Sequence, residues 1–362
     1  MTDTPTTPAD APTPADATPA DAAPGATPAT TPGDPATATP ADDGIRHIVL
    51  DTDTGIDDAL ALLYLAGRPD VEISAITSVY GNTPVSAALA NIARVLEVAG
   101  LGDTLVAEGA NGPIDGEARI AHHVHGHDGL GDLWPEKLAP KNLSPLSSAE
   151  LIVELGRSRP GYYDLLPIGP LTNLGLALEL DPEVLTYYRS VVIMGGSGPF
   201  PPLGTVQMVD ANIHNDAIAA ARVFAAPRRR LVMVGVNVTA GTIVDEQAVQ
   251  ALHRAGTEWG TFSAQILEAY MDFYQFSWGR RVSPAHDGLA AALLVQPEWI
   301  TAEVTGPVNI TSDGFATRAH LMRTAEGLPV SWPSAPAPDT VVVLDVDREA
   351  FLADFVRVLS GR

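Results

Sequence analysis

Four carboxylates fall within eight residues of one another, at Asp51, Asp53, Asp57 and Asp58 in the run LDTDTGIDDA. One or two of them can serve a helix start, where backbone N–H groups lack partners and the dipole favours negative charge. That accounts for Asp57 or Asp58 but not for all four, because carboxylates brought this close repel one another unless a cation neutralises them. The chain has no Cys, which excludes disulfides, thiolate metal sites and a catalytic thiol. Hard oxygen ligands then point to Ca²⁺ or Mg²⁺ as the expected ion.

The elements that must position these acids alternate. IRHIVLDTDTG, from Ile45, reads as a short buried strand ending in acids and glycine, and IDDALALLYLAG reads as the amphipathic helix after it. VEISAITSVYGN is a second strand and PVSAALANIARVLEVAG a second helix. Strands near residues 164–170 and 190–196, each followed by helices, continue the order. RLVMVGVNVT adds a strand before helices that run to about residue 296. PVNIT, ATRAHLM and TVVVLDVD read as extra strands before a last helix ending near Val358. The expected fold class is therefore α/β, a mainly parallel sheet flanked by helices with extra C-terminal strands. Ligands of such sheets bind beyond the carboxyl ends of the strands. The acidic cluster, Asn82, the turn at Ile168 and the pair Gly195 and Gly196 all fall there.

Composition narrows the partners. Among 362 residues, Lys+Arg 21 against Asp+Glu 44 gives a formal charge of −23, which argues against a nucleic-acid or anionic-membrane footprint. No run reaches the length of a membrane span. Residues 1–43 repeat Ala, Pro, Thr and Asp with almost no large apolar side chain, and read as a disordered tail. Residues 44–362 then form one domain. A basic stretch followed by an apolar one, the mark of a signal peptide, is missing, so a cytoplasmic location is expected.

From Ile45 onward the chain resembles the calcium-dependent nucleoside hydrolases, the inosine-uridine-preferring family. The resemblance is carried by LDTDTGIDDA at 50–59, VYGN at 79–82, HGHDGLG at 125–131, LPIGPLTN at 166–173, VVIMGG at 191–196, DAN at 210–212 and AHD at 285–287. It implies Ca²⁺-dependent hydrolysis of the N-glycosidic bond of ribonucleosides to ribose and free base, in nucleoside salvage, by a metal-activated water. It further implies that Asp53, Asp58 and Asp287 ligate Ca²⁺ through their side chains and Ile168 through its carbonyl, with Asp53 also the general base. Asp57, Asn82 and Asn212 would hold ribose hydroxyls, and His286 would assist the departing base. Asp210 takes the place of the family's Glu in a Glu-aromatic-Asn motif, and Gly204 and Thr205 stand where a further Asn is usual. That departure points either to a changed substrate preference or to low activity. Tyr274 and Trp278, in YMDFYQFSWG, either stack on the nucleobase or fill the core. The resemblance also implies a homodimer or homotetramer.

Two other readings stay open on sequence. One is a non-catalytic protein of this fold that binds calcium and a ribosyl ligand. The other is an Asp-x-Asp phosphatase, which needs a phosphate-clamping lysine, whereas Lys137 and Lys141 are the only two and sit in a Pro-rich stretch. His122, His123, His125 and His127 with Asp128 could hold zinc, but their spacing matches no helical ligand pair, and a mobile loop over the nucleoside is the expectation. Gly195, Gly196 and Gly198 lack dinucleotide-binding spacing and read as a tight turn beside the sugar.

Overall fold

The strands β1 (Arg46–Thr52), β2 (Val71–Ser78), β3 (Leu105–Ala107), β4 (Tyr163–Pro167), β5 (Val191–Met194) and β6 (Leu231–Val234) run parallel in one sheet. The computed structural model of the chain describes residues 44–197, 210–308, 310 and 337–361. Two short strands, β7 (Ile243–Val244) and β8 (Ser283–Pro284), pair as a separate antiparallel ribbon. β9 (Ile300–Gly306) and β10 (Thr340–Val346) complete the main sheet, whose order is β3-β2-β1-β4-β5-β6-β10-β9. β10 is parallel to β6, and among the described residues only the edge strand β9 of this sheet runs against its neighbour.

The middle strands are apolar without interruption, VVIM in β5 and LVMV in β6, and every residue of both is buried. This is the pattern of a parallel sheet covered on both faces. On one face lies helix Ile56–Ala66, buried from Ile56 to Leu65, packed against helices Val85–Ala99 and His286–Val295. On the other lie helices Ser148–Ser158, Thr172–Leu180 and Ala217–Ala225, around Leu174, Tyr188 and Phe224. The strand order reverses between β1 and β4, the switch point at which doubly wound sheets open a crevice.

One expectation needs correction and several fall outside the described residues. The PVNIT segment is no strand at residues 307, 308 and 310; the strand lies just before it, at β9. β9 shows mostly exposed residues, and a strand covered on one side lacks the apolar run that marks the central strands. Val308 is apolar because it packs into the core beyond the strand's end. ATRAHLM, the tail at 1–43, Gly198 and the segment with Gly204 and Thr205 lie outside the described residues. TVVVLDVD forms β10, and the last helix is Arg348–Leu359. Among the described residues no helix is long and apolar enough to cross a membrane.

Candidate active site

At the end of β1 the chain turns through Asp53, Thr54 and Gly55 into helix Ile56–Ala66. Thr54 has φ 27°, a strained value for a β-branched residue. It is held there from both sides. Its N–H donates to Thr52 Oγ1 at 3.1 Å, and its carbonyl accepts from Asn91 Nδ2 at 3.0 Å. Asp58 closes the turn: Oδ2 accepts from the Gly55 N–H and from Asn82 Nδ2, both at 2.8 Å, and Oδ1 accepts from the Thr52 hydroxyl at 2.6 Å. Asp53 accepts from the Asn82 backbone N–H at 2.6 Å and from its amide at 3.2 Å. One asparagine thus bridges two carboxylates.

Asp57, beside Asp58, accepts from the Tyr270 hydroxyl at 3.3 Å on one oxygen, while its other oxygen is buried without a partner. Asp287 enters from the first turn of helix His286–Val295. Oxygens of Asp57, Asp58 and Asp287 lie within 4.8 Å of one another, the one group of three or more potential metal ligands among the described residues. Ile168 follows β4, its N–H tied to the carbonyl of Asp51 at 2.8 Å and its carbonyl accepting from Asn212 Nδ2 at 2.8 Å.

Burial and mutual repulsion raise Asp53, Asp57 and Asp287. Asp53 and Asp287 are pushed well above the usual carboxylate range, and Asp57 is pushed up to about 8, in each case by burial first and neighbouring carboxylates second. Asp51, behind them, is pushed up to about 6 by burial, against hydrogen bonds from Thr77 and Asn173. The nearest imidazole gives no counter-charge. His125, 4.0 Å from Asp57, is pushed down to about 3 by burial, and its Nδ1 accepts from the Ile56 N–H. Clustered hard oxygens, an unpartnered buried carboxylate oxygen and, among the described residues, no Lys or Arg lining the cavity fit a divalent cation.

Some of these groups line one end of a cavity of about 340 Å³. Asp57, Asn82, Ile168 and Asp287 form its acidic end, with Asp210 and Asn212 beside them. His125, Tyr270, Phe273, Tyr274, Trp278 and His286 form its aromatic end. Asp210 faces the cavity but also caps helix Ala211–Asn215, accepting from the Ile213 N–H at 2.8 Å. Tyr274 is buried and meets the 41 % exposed Trp278 edge-on, so the Tyr belongs to both the core and the cavity wall. His286 is placed by two hydroxyls, Thr239 Oγ1 at 2.6 Å from Nδ1 and Tyr274 at 3.2 Å from Nε2. Burial pushes its imidazole down to about 4.

Of the sequence-derived site residues, Asp57, Asn82, Ile168, Asp210, Asn212, Tyr274, Trp278, His286 and Asp287 line this cavity, whereas Asp53 and Asp58 do not line it and sit behind Asn82, hydrogen-bonded to its amide; Asp53 also lies outside the group formed by Asp57, Asp58 and Asp287. Of the four clustered histidines, His125 alone reaches the cavity. His127 pairs with Asp132, and His122 stacks on His127. The loop after them is tied by Asp128, whose carboxylate accepts from Leu130, Asp132 and Trp134 N–H groups. Gly196 turns at φ 86°, and its carbonyl accepts from Val236. Thr239 and Thr52 carry no mark in the sequence, since a threonine at a strand end is commonplace.

The chain is similar to known proteins of one family. The sequence profile of the inosine-uridine preferring nucleoside hydrolases matches residues 48–353. A probable uridine nucleosidase 1 of Oryza sativa subsp. japonica is 33 % identical over 277 residues, 76 % of this chain and 84 % of that one. The inosine-uridine preferring nucleoside hydrolase of Leishmania major is 32 % identical over 277 residues, covering 75 % and 85 %. Among solved structures, the plant nucleoside hydrolase PpNRh1 superposes with a TM-score of 0.79 at 27 % identity, covering 88 % of this chain and 99 % of that one.

Proposed function

The chain belongs to the inosine-uridine preferring nucleoside hydrolase family and is a ribonucleoside N-ribohydrolase, and we propose that it works with Ca²⁺ held by Asp53, Asp58, Asp287 and the Ile168 carbonyl. The observation that carries this reading is the polarity of one cavity, with buried carboxylates at one end and aromatic rings with an imidazole at the other. A nucleoside has the same polarity, a polar sugar joined to a flat base. Oxygen-only donors and a flexible multi-carboxylate arrangement suit calcium's high coordination number better than magnesium's strict octahedron.

N-glycosidic cleavage passes through an oxocarbenium-like sugar. When bound, the ion supplies the positive charge that acidifies water and grips a cis-diol. Asp53, fixed by both nitrogens of Asn82, takes the proton from the attacking water. Asp57, Asn82 and Asn212 hold the ribose hydroxyls, with Asp210 contributing from the start of its helix. Tyr274 and Trp278 flank the base, and His286 helps it leave. A homodimer or homotetramer working in the cytoplasm completes the proposal. The phosphatase reading has no support, because neither Lys137 nor Lys141 lines the cavity.

The test is reducing-sugar release from a panel of purine and pyrimidine nucleosides, with and without a calcium chelator, beside Asp53→Ala. Chelator-sensitive release that vanishes in the variant is expected. Calcium and ribose binding without cleavage of any nucleoside would overturn the proposal in favour of a binding protein.

A further inference from the structure

Thr239 ends a single helical turn, Val236–Thr239, just after β6, and is fully buried. Its hydroxyl meets His286 Nδ1 at 2.6 Å, and among the described residues it has no other hydrogen-bond partner. The contact spans 47 positions of sequence. The β7–β8 ribbon enforces it, with Ile243 paired to Pro284 and the Ala285 N–H donating to the Thr242 carbonyl at 2.9 Å. The two segments that carry Thr239 and His286 are therefore stapled together just beyond both residues.

A neutral imidazole has one N–H and one lone pair, and the partner of one nitrogen decides where the proton sits. If Nδ1 carried the proton, it would donate to Thr239 Oγ1. The hydroxyl hydrogen of Thr239 would then be buried with no acceptor, at a cost of the kind that buried polar groups avoid. If the hydroxyl donates to Nδ1, both groups are satisfied and the ring proton lies on Nε2. Nε2 faces the Tyr274 oxygen, and both residues line the cavity.

We infer that Thr239 is a positioning residue that holds His286 as the Nε2–H tautomer, so that the ring presents a hydrogen-bond donor rather than a lone pair to the departing base. As the C1′–N bond breaks, its electron pair passes to the base, and a donor aimed at a base nitrogen stabilises that growing charge. The ring keeps its proton: the base leaves as its anion and is protonated afterwards by solvent, to which the proton accepted by Asp53 is returned. The opposite tautomer would aim a lone pair at an electron-rich nitrogen. Thr239 touches neither sugar nor base and acts through His286.

The inference rests on the nucleoside hydrolase reading for its catalytic consequence, so its test has an arm that needs no catalysis. Selective ¹⁵N-histidine labelling and long-range ¹H–¹⁵N correlation, on the full chain with Ca²⁺, reports the tautomer of each ring. His286 is expected as Nε2–H in the parent and in Thr239→Ser, and as a mixture of the two forms in Thr239→Val, which is nearly isosteric and offers Nδ1 no hydroxyl proton. In the kinetic arm, Thr239→Val should lower kcat on inosine about tenfold or more relative to kcat on 4-nitrophenyl riboside, whose leaving group needs no help, and Thr239→Ser should restore the ratio. An unchanged tautomer in Thr239→Val, equal loss on both substrates, or failure of Thr239→Ser to restore the ratio would overturn the inference. A parent that shows the Nε2–H form yet cuts no nucleoside would instead sink the functional reading and leave the tautomer assignment standing.

Discussion

The side-chain amide of Asn212 donates to the carbonyl oxygen of Ile168 at 2.8 Å and to that of Met194 at 3.1 Å. A residue proposed to hold the ribose therefore also aims the carbonyl proposed to ligate the ion, and it ties helix Ala211–Asn215 to the ends of β4 and β5. Asn212→Ala should weaken sugar and metal together. We expect KM to rise about tenfold and the calcium Kd to rise several-fold, the loss of one or two hydrogen bonds in each case. Steady-state kinetics at saturating calcium and calorimetric titration of the metal check the two halves. A changed KM with an unchanged metal affinity would show that Ile168 is held without Asn212.

Asp57, with its carboxyl pushed by burial up to about 8 from an ordinary 3.8, makes the metal-free protein pH-sensitive in a defined direction. Between those values the folded state holds more protons than the unfolded state, so stability falls as pH rises through the window. Asp53 and Asp287, raised for the same reason, add to the trend. Chelator-treated protein should therefore lose Tm from pH 5 to pH 8. Calcium, which binds the ionised carboxylates, should raise Tm more at pH 8 than at pH 5. Thermal melts at matched ionic strength test this, and a metal-free Tm that climbs across the interval would contradict it.

Gly81 admits no side chain. Its φ is 154°, and a Cβ there would run into the Asp53 carboxylate and come within 2.9 Å of Pro170 Cδ. Gly81→Ala should displace the proposed general base while the sheet stays paired. The expected result is a fall in kcat of about a hundredfold with a stability loss of about 1–3 kcal/mol, read by turnover and urea unfolding. A variant that folds and turns over at the parent rate would show that Asp53 tolerates movement there.

The alternation of strands and helices was legible because central parallel strands are continuous apolar runs, and β5 and β6 are that and little else. The acidic end was legible because four Asp in eight residues have few physical excuses. The aromatic end was only half legible. Aromatic residues at helical spacing look alike whether they fill a core or wall a cavity, and Tyr274 does both. Thr239 could not be seen, because its meeting with His286 depends on β7 and β8, two-residue strands too short to leave a pattern. β9 was missed because an edge strand exposes much of its surface, and Asp210 shows its capping role only once helix Ala211–Asn215 is seen to begin there.

His286→Ala should lose most activity on inosine and keep calcium. The ring stands next to Asp287 in sequence, yet it reaches Thr239 and Tyr274 rather than the acids. Loss of help to the leaving base costs on the order of a hundredfold in kcat. Calorimetry should show calcium affinity within about twofold of the parent, since no proposed ligand is touched. Parent-like turnover of inosine would remove His286 from the mechanism.

Asp58 carries two loads that substitution can separate. Its carboxylate closes the start of helix Ile56–Ala66 through the Gly55 N–H and Thr52 hydroxyl, and it is also a proposed metal ligand. Asp58→Asn keeps an oxygen for Gly55 and Asn82 and can turn its NH₂ toward Thr52 Oγ1, which accepts as readily as it donates. It gives up only the charge. Asp58→Ala gives up both, leaving the Gly55 N–H and the Asn82 amide short of an acceptor inside the protein. We expect both variants to lose calcium affinity about a hundredfold or more, whereas only Asp58→Ala loses about 1–2 kcal/mol of metal-free stability, the usual worth of a helix-start acceptor. Chelator-treated urea unfolding beside calcium titration separates the loads, and equal destabilisation by both variants would mean that the charge, not the hydrogen bonds, holds the turn.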